Sequence, residues 1–317
     1  MVVFTRLFTS HGVGRCMKAL KYYLIAGLLR AAAFLSLRSA QKIGAMLGWL
    51  GWYLPTQARQ VTLTNLAICF PELSTEQRDQ LARKSLRHTG RTIMEIPLIW
   101  EWPVQKCLDL IQSVEGEELL DEALQSGNGL ILLAPHLGNW ELAGLYFSSR
   151  YKMAALYSPP NLAEFEAYMI RVRSRLGSEL VRGDRRGLAR LATLLREGGV
   201  AGILPDQSPR GKGNAFAPFF GMDVKTMTLV SRLMQKTGAR ALVTYAQRLP
   251  DGKGFRIVIR EADKALADPD PVVATTALNR SLENCVRAVP AQYQWEYKRL
   301  RHRPPGEINP YNPDRIC

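Results

Sequence analysis

The chain has 317 residues, 47% of them apolar, and carries 42 Lys plus Arg against 28 Asp plus Glu, a formal charge of +14. That length holds one large α/β domain or two small ones, and the apolar content excludes a wholly disordered chain; 25 Gly and 18 Pro without a fixed period exclude collagen-like and coiled-coil architectures. The positive excess points to an acidic partner, whether nucleic acid, anionic lipid, a phosphorylated substrate or an acidic protein.

In chain order, residues 20–54 are the most apolar region, broken by Arg30, Arg38 and Lys42. No stretch reaches the roughly 20 clean apolar residues of a spanning helix. Basic residues flank it (Arg15, Lys18 and Lys21 before, Arg38 and Lys42 after), and Trp49, Trp52 and Tyr53 follow. Such flanks suit an N-terminal membrane-associating helical segment over 1–55, with an ordinary buried helix as the alternative. Ser74 or Thr75 can cap a helix that ends before Pro103. A short helix is expected over 117–126, a buried strand over 129–136, and a helix over 138–149. Next come a strand over 153–157, helices over 162–176 and 184–196, and a short strand over 200–204. A Gly-rich loop (208–221) leads to a helix near 225–237, strands over 241–247 and 255–260, a helix over 271–288 and an irregular basic tail. Strands alternating with helices predict an α/β fold, a mixed sheet flanked by helices, with the α/β domain over 56–310 and a tail over 311–317. No internal repeat is visible.

Five scattered cysteines (Cys16, Cys69, Cys107, Cys285, Cys317) contain no C-x-x-C pair, and the four histidines lie far apart. Neither a disulfide framework nor a metal centre is expected, and a reducing compartment fits.

The sharpest chemical signal is His136-Leu-Gly-Asn-Trp-Glu141, where a buried strand gives way to a helix. Glu141 could reach back to one ring nitrogen of His136, fix its tautomer and leave the other nitrogen as a general base. Backbone amides of Gly138 and Asn139, at a helix start, would suit a developing oxyanion. The alternative is a histidine closing a strand end and a surface glutamate. A second signal is arginine density: Arg171, Arg173, Arg175, Arg182, Arg185, Arg186 and Arg190. Arg171 and Arg175 would share a helix face, and arginine forks suit phosphate oxygens, although a charge run also reads as a solvated face. Thirdly, Asp206 and Gln207 follow a strand, with Gly211-Lys212-Gly213 beyond, and could line the same cleft or form a plain turn. There is no G-x-S-x-G elbow, no P-loop and no G-x-G-x-x-G after a strand. A lone base then needs a substrate hydroxyl to activate, which points to transfer onto an alcohol.

Together these features resemble the lysophospholipid-acyltransferase-like superfamily, whose signature is His-x4-Asp/Glu, and within it the bacterial lipid A biosynthesis acyltransferases of the lauroyl/myristoyl type. The matching pieces are Ala134–Leu142, Asp184-Arg-Arg-Gly-Leu188, Pro205-Asp-Gln207, Pro218-Phe-Phe-Gly221, Gln292-Tyr-Gln-Trp295, Arg303-Pro304, and Asn65-Leu with Phe70-Pro71 nearer the start; the likeness covers roughly residues 16–306. It implies an inner-membrane enzyme facing the cytoplasm, without cofactor, that moves a fatty acyl group from acyl carrier protein to a hydroxyl of Kdo2-lipid IVA. By the resemblance His136 is the general base and Glu141 its partner, and Arg171, Arg175, Arg182 and Arg185 bind substrate phosphates or sugar carboxylates. The acidity of the carrier protein offers a second use for the positive charge. The chain departs from the glycerolipid branch in carrying Glu where that branch usually has Asp. Two rivals stay open: an acyltransferase acting on a glycerolipid or glycolipid acceptor, and a non-enzymatic binder of anionic membrane or nucleic acid driven by charge alone.

Overall fold

Each long N-terminal helix begins at a side chain that takes an orphan amide. In the computed structural model, which describes residues 23–316 apart from 126, 161, 210 and 212, Ser36 accepts from the Ser39 amide at the start of α1 (Leu37–Tyr53). Thr56 does the same for α2 (Gln57–Cys69). Ser74 and Gln77 cap reciprocally at the start of α3 (Thr75–Glu101), so the helix expected after Ser74 runs its full length.

α1 lies against α3 because glycines stand at the crossing. A methyl group on Gly44, Gly48 or Gly90 would meet the backbone of the facing helix. The second half of the apolar N-terminal segment is therefore packed onto the body of the protein, while Met46, Leu47, Trp49, Leu50 and Tyr53 stay exposed on its other side. Residues 23–32 are also helical, with Leu24, Ile25 and Leu28 exposed. Among the described residues no helix is long and apolar enough to cross a membrane. The basic flank Arg15, Lys18 and Lys21 lies outside the described residues, as does Lys212.

After α4 (Val104–Leu108) come β1 (Ile111–Glu115), α5 (Glu118–Gln125), β2 (Leu130–Leu133), α6 (Trp140–Ser148), β3 (Met153–Tyr157), α7 (Ala163–Arg173), β4 (Glu179–Arg182), α8 (Arg185–Arg196) and β5 (Val200–Ile203). β6 (Asn214–Phe219), β7 (Met222–Met227), α9 (Leu229–Thr237), β8 (Arg240–Arg248), β9 (Phe255–Glu261), α10 (Pro271–Ala288), β10 (Ile308–Asn309) and β11 (Asn312–Ile316) complete the chain. Seven strands form one sheet in the order β1-β9-β8-β2-β5-β3-β4. Every neighbouring pair is parallel except β8 and β9. The sheet is mixed and helix-flanked, as the alternation of strands and helices required.

β2 shows how the sheet divides the core. Leu130 and Leu132 pack with Leu142, Phe147 and Phe255 on one face, and Ile131 and Leu133 pack with Leu191, Val230 and Leu278 on the other. A strand buried on both faces reads as a continuous apolar run, which is why it was visible in the sequence.

Three expectations change. The stretch 208–221 is not all loop: its second half is β6, paired antiparallel with β7 through a turn at Phe220 and Gly221, both at positive φ. The helix expected near 225 therefore starts only at Leu229. The tail is not irregular throughout, since β10 and β11 pair and the Tyr311 hydroxyl donates to Asn65 Oδ1.

Candidate active site

His136 and Asp206 meet because two neighbouring strands end level. β2 and β5 run parallel with Leu133 paired to Ile203, and each polar residue follows its strand by three positions (133 to 136, 203 to 206). One Asp206 oxygen accepts from the His136 backbone amide at 2.9 Å, and the other faces ring Nδ1 at 2.9 Å. A carboxylate only accepts, so Nδ1 carries the proton and Nε2 presents its lone pair. Burial works to raise the Asp206 pKa, but the charge and hydrogen bonds of His136 outweigh it and hold the carboxyl below its usual range. On the far side of the ring, Nε2 faces the Gln207 carboxamide nitrogen at 3.3 Å, which lies 3.4 Å from Gln294 Oε1. The Trp140 ring packs edge-on against the imidazole with centroids 4.8 Å apart.

Glu141, expected on that ring nitrogen, is engaged elsewhere. Asn139 caps α6 by accepting from the Leu142 amide at 3.0 Å, and the helix so begun turns Glu141 towards α7 and the end of α3. There it is buried, accepting from Arg173 Nε at 3.0 Å and Nη2, and from Trp100 Nε1 at 2.8 Å. Burial pushes its pKa up, but Arg173, then the indoles of Trp100 and Trp140, bring it below the usual carboxylate value. The carboxylate on His136 is Asp206, not Glu141.

The Gly138 and Asn139 amides are occupied as well. Gly138 N–H donates to the Gln292 carbonyl at 3.0 Å and Asn139 N–H to the Ala246 carbonyl at 2.9 Å. Residues 137 and 138 run between β8 and the segment after α10, Leu137 bridging Tyr293 and Gly138 bridging Ala246. Gly138 sits at φ 65°, and a Cβ there would meet the Ala246 carbonyl oxygen. The oxyanion role expected of these amides falls, because both protons are already given to backbone carbonyls.

The arginines scatter. α7 stops at Arg173, so Arg171 and Arg175 do not share a helix face. Arg175 donates to the carbonyls of Ile99, Trp100 and Trp102 at 2.6, 3.1 and 2.8 Å and closes the end of α3. Arg171 is exposed over the Tyr168 ring, 3.9 Å from Glu101. Arg182 donates to the Tyr157 hydroxyl at 3.2 Å and to Glu166 at 2.7 Å. Arg185 is exposed at the start of α8. His136, Glu141, Arg175, Arg182 and Gln207 all line one cavity of about 940 Å³, whereas Gly138, Asn139, Arg171, Arg185 and Asp206 do not.

Several groups that shape the site carried no local signal. Arg173 was one arginine among many, and only the fold pairs it with Glu141. Arg248, the last residue of β8, forms a buried ion pair with both oxygens of Glu95 at 2.5 Å each. Glu95 also accepts from Gln41 at 2.7 Å and from Asn139 Nδ2 at 3.0 Å. Residues from α1, α3 and β8 thus converge on the side chain that caps α6.

Compared with known proteins, the chain matches the profile of the bacterial lipid A biosynthesis acyltransferases over residues 14–302. It belongs to that family, and it is accordingly an enzyme that transfers acyl groups. It is 28% identical over 273 residues to the lipid A biosynthesis palmitoleoyltransferase of Escherichia coli (strain K12), covering 85% of this chain and 87% of that protein. The lauroyltransferase of the same strain is 24% identical over 271 residues (85% and 88% covered) and its myristoyltransferase 29% over 276 residues (84% and 82%). Three relatives named for three acyl groups match about equally, so membership alone sets no chain length.

Proposed function

We propose that the chain moves a fatty acyl group from acyl carrier protein to a hydroxyl of a lipid A precursor of the Kdo2-lipid IVA kind, at the cytoplasmic face of the inner membrane. The observation that supports it is the His136–Asp206 pair at the wall of the 940 Å³ cavity, whose lining also includes the apolar Leu132, Phe147 and Met153. His136 Nε2 removes the proton from the acceptor hydroxyl, and that oxygen attacks the thioester carbonyl. The imidazolium so formed is stabilised by Asp206 on Nδ1. The C–S bond then breaks, the ester is left on the lipid, and the departing thiolate takes the proton back from Nε2. No acyl-enzyme is required. Once Nε2 takes the proton it no longer accepts, so the Gln207 N–H that faces it is released to the developing oxyanion, whereas the Gly138 and Asn139 N–H groups stay bound to backbone carbonyls.

Glu141, with Arg173 and Trp100, shapes and stiffens the cavity wall rather than tuning the base. The exposed face of α1, with Trp49, Leu50 and Tyr53 beside Lys42, fits an interfacial contact with anionic lipid.

The test is transfer from acyl carrier protein to Kdo2-lipid IVA by the full-length protein in detergent, read by mass spectrometry. One added acyl mass is expected for wild type and a loss of about 10²–10⁴-fold for His136→Ala. Near-wild-type transfer by folded His136→Ala, or transfer only to a glycerolipid acceptor, would overturn the proposal.

A further inference from the structure

The cavity that holds His136 is also lined by a group of polar residues away from the imidazole's own partners. The group lies where β7 passes into α9, where Gly213, Thr228 and Arg232 come together, and Ser208 lines the same cavity. Thr228 occupies the N-cap position of α9, but its side chain caps nothing. The residue is 2% exposed, and its hydroxyl oxygen has no hydrogen-bond partner among the described residues. Ser208 presents a second buried hydroxyl in the same condition. Two buried hydroxyls left open in one cavity are costly unless a ligand satisfies them.

A cation converges on the same place. Arg232, one turn into α9, makes no hydrogen bond or ion pair through its guanidinium to any described residue, in a chain where most arginines near the cavity are tied to a carboxylate or a carbonyl. The point where a Cβ on Gly213 would stand is 3.5 Å from Arg232 Nη1 and 3.9 Å from Thr228 Oγ1. Gly213 has φ 86°, so a side chain is disfavoured there and the space stays open. No acidic residue occupies the first turn of α9, leaving the positive end of its dipole uncompensated.

We infer that this corner is a binding site for a phosphate ester group, held by the Arg232 guanidinium, the Thr228 and Ser208 hydroxyls and the first amides of α9. A phosphate offers several acceptor oxygens to donors that here have none, and a guanidinium beside a helix N-terminus is suited to it. The location fits the reaction proposed above, on which the assignment of substrate rests. Asp206, Gln207 and Ser208 are consecutive: the first holds His136 Nδ1, the second faces Nε2, and the third lines the same cavity with a buried hydroxyl. A phosphate bound there fixes one end of a substrate while its reacting group lies at the imidazole. Both substrates qualify chemically: a phosphorylated sugar lipid carries a phosphomonoester, and the prosthetic arm of the acyl donor carries a phosphodiester.

Two measurements test it, on full-length protein with Arg232→Gln, and with Thr228→Val as a shape-conserving second variant. The first needs no catalysis: thermal melting with inorganic phosphate against chloride at matched ionic strength. Phosphate raises the wild-type melting temperature and leaves that of Arg232→Gln unmoved; equal shifts in both proteins overturn the site whether or not the protein acylates a lipid A precursor. The second is steady-state kinetics. Loss of one charge-assisted contact raises KM by about 10- to 100-fold with kcat little changed. A rise for the phosphorylated acceptor but not for its dephosphorylated form assigns the site to the lipid. A rise for the carrier-protein donor but not for an acyl pantetheine lacking phosphate assigns it to the donor arm. Equal effects on phosphorylated and phosphate-free forms of both substrates refute phosphate recognition here.

Discussion

Replacing Asp206 with Asn alters the chemistry of the site without altering its shape, and the structure gives the direction. One Asp206 oxygen is bound to a backbone N–H of His136, a donor that cannot change, and the other faces Nδ1. In Asp206→Asn the carboxamide oxygen must stay on the backbone donor, so its NH2 turns to Nδ1. The imidazole is then driven to the tautomer with its proton on Nε2, where the substrate hydroxyl needs a lone pair. The charge that stabilises the imidazolium is lost at the same time. Two unit charges about 4 Å apart at an effective dielectric of about 20 interact by about 4 kcal/mol, and at about 1.4 kcal/mol per decade that is roughly a thousandfold. The expectation is a fall in kcat of about 10³ in single-turnover acyl transfer, with an unchanged circular dichroism spectrum. Glu141→Gln keeps the shape of that side chain and should leave the pH profile of kcat in place, since its carboxylate touches Arg173 and Trp100 rather than the base. A folded Asp206→Asn protein within about tenfold of wild type, beside a Glu141→Gln protein whose profile is shifted, would refute the assignment of Asp206 as the base's partner.

Three further outcomes follow from other parts of the structure. Glu95→Ala strands the buried Arg248 guanidinium and should destabilise the protein by about 3–5 kcal/mol in chemical denaturation; a cost below about 1 kcal/mol would show that the network is not needed for stability. Burial, then the charges of Arg248 and Arg91, lower the His88 pKa to about 3. The fold therefore favours neutral His88, and its contribution is present above the ordinary value near 6.5 and declines as pH falls towards 3, by at most about 1.4 kcal/mol per pH unit. His88→Asn should flatten the stability slope between about pH 6.5 and 4, and an unchanged slope would contradict this. A Cβ on Gly144 meets nothing within 4 Å, and the residue lines the cavity, so Gly144→Leu should shift donor preference towards shorter acyl chains in a competition among acyl carrier protein thioesters. An unaltered preference would place the chain elsewhere.

The central strands were legible because a strand buried on both faces is a bare apolar run, as in Leu130–Leu133, and the long helix after Ser74 because that residue announces its start; the caps at Asp184 and Asp270 emerge only in the structure. β1 was missed because Ile111-Gln-Ser-Val-Glu115 lies at the sheet edge, half exposed, and lacks that density. His136 could be found from its place at a strand end. Its true carboxylate could not be chosen by spacing, since the pairing depends on which strand lies beside β2, and that is a property of strand order. Gly138 and Asn139 misled for a related reason: a helix start offers free amides only when no other backbone runs alongside, and here the carbonyls of Gln292 and Ala246 do.

The threading of residues 136–138 between Ala246 and the segment around Tyr293 has a consequence for synthesis. The Gln294 amide donates to the His136 carbonyl at 3.1 Å, and the Asn65 side chain grips the carbonyls of Trp295 and Tyr297 at 2.6 and 3.0 Å. A nascent chain that has emerged from the ribosome only through α10 has every strand of the seven-stranded sheet but not the strip that closes around the imidazole. Folding of the central sheet and assembly of the centre are therefore separable: the sheet needs nothing beyond β9, whereas the loop that carries the imidazole is held by amides and carbonyls that follow α10.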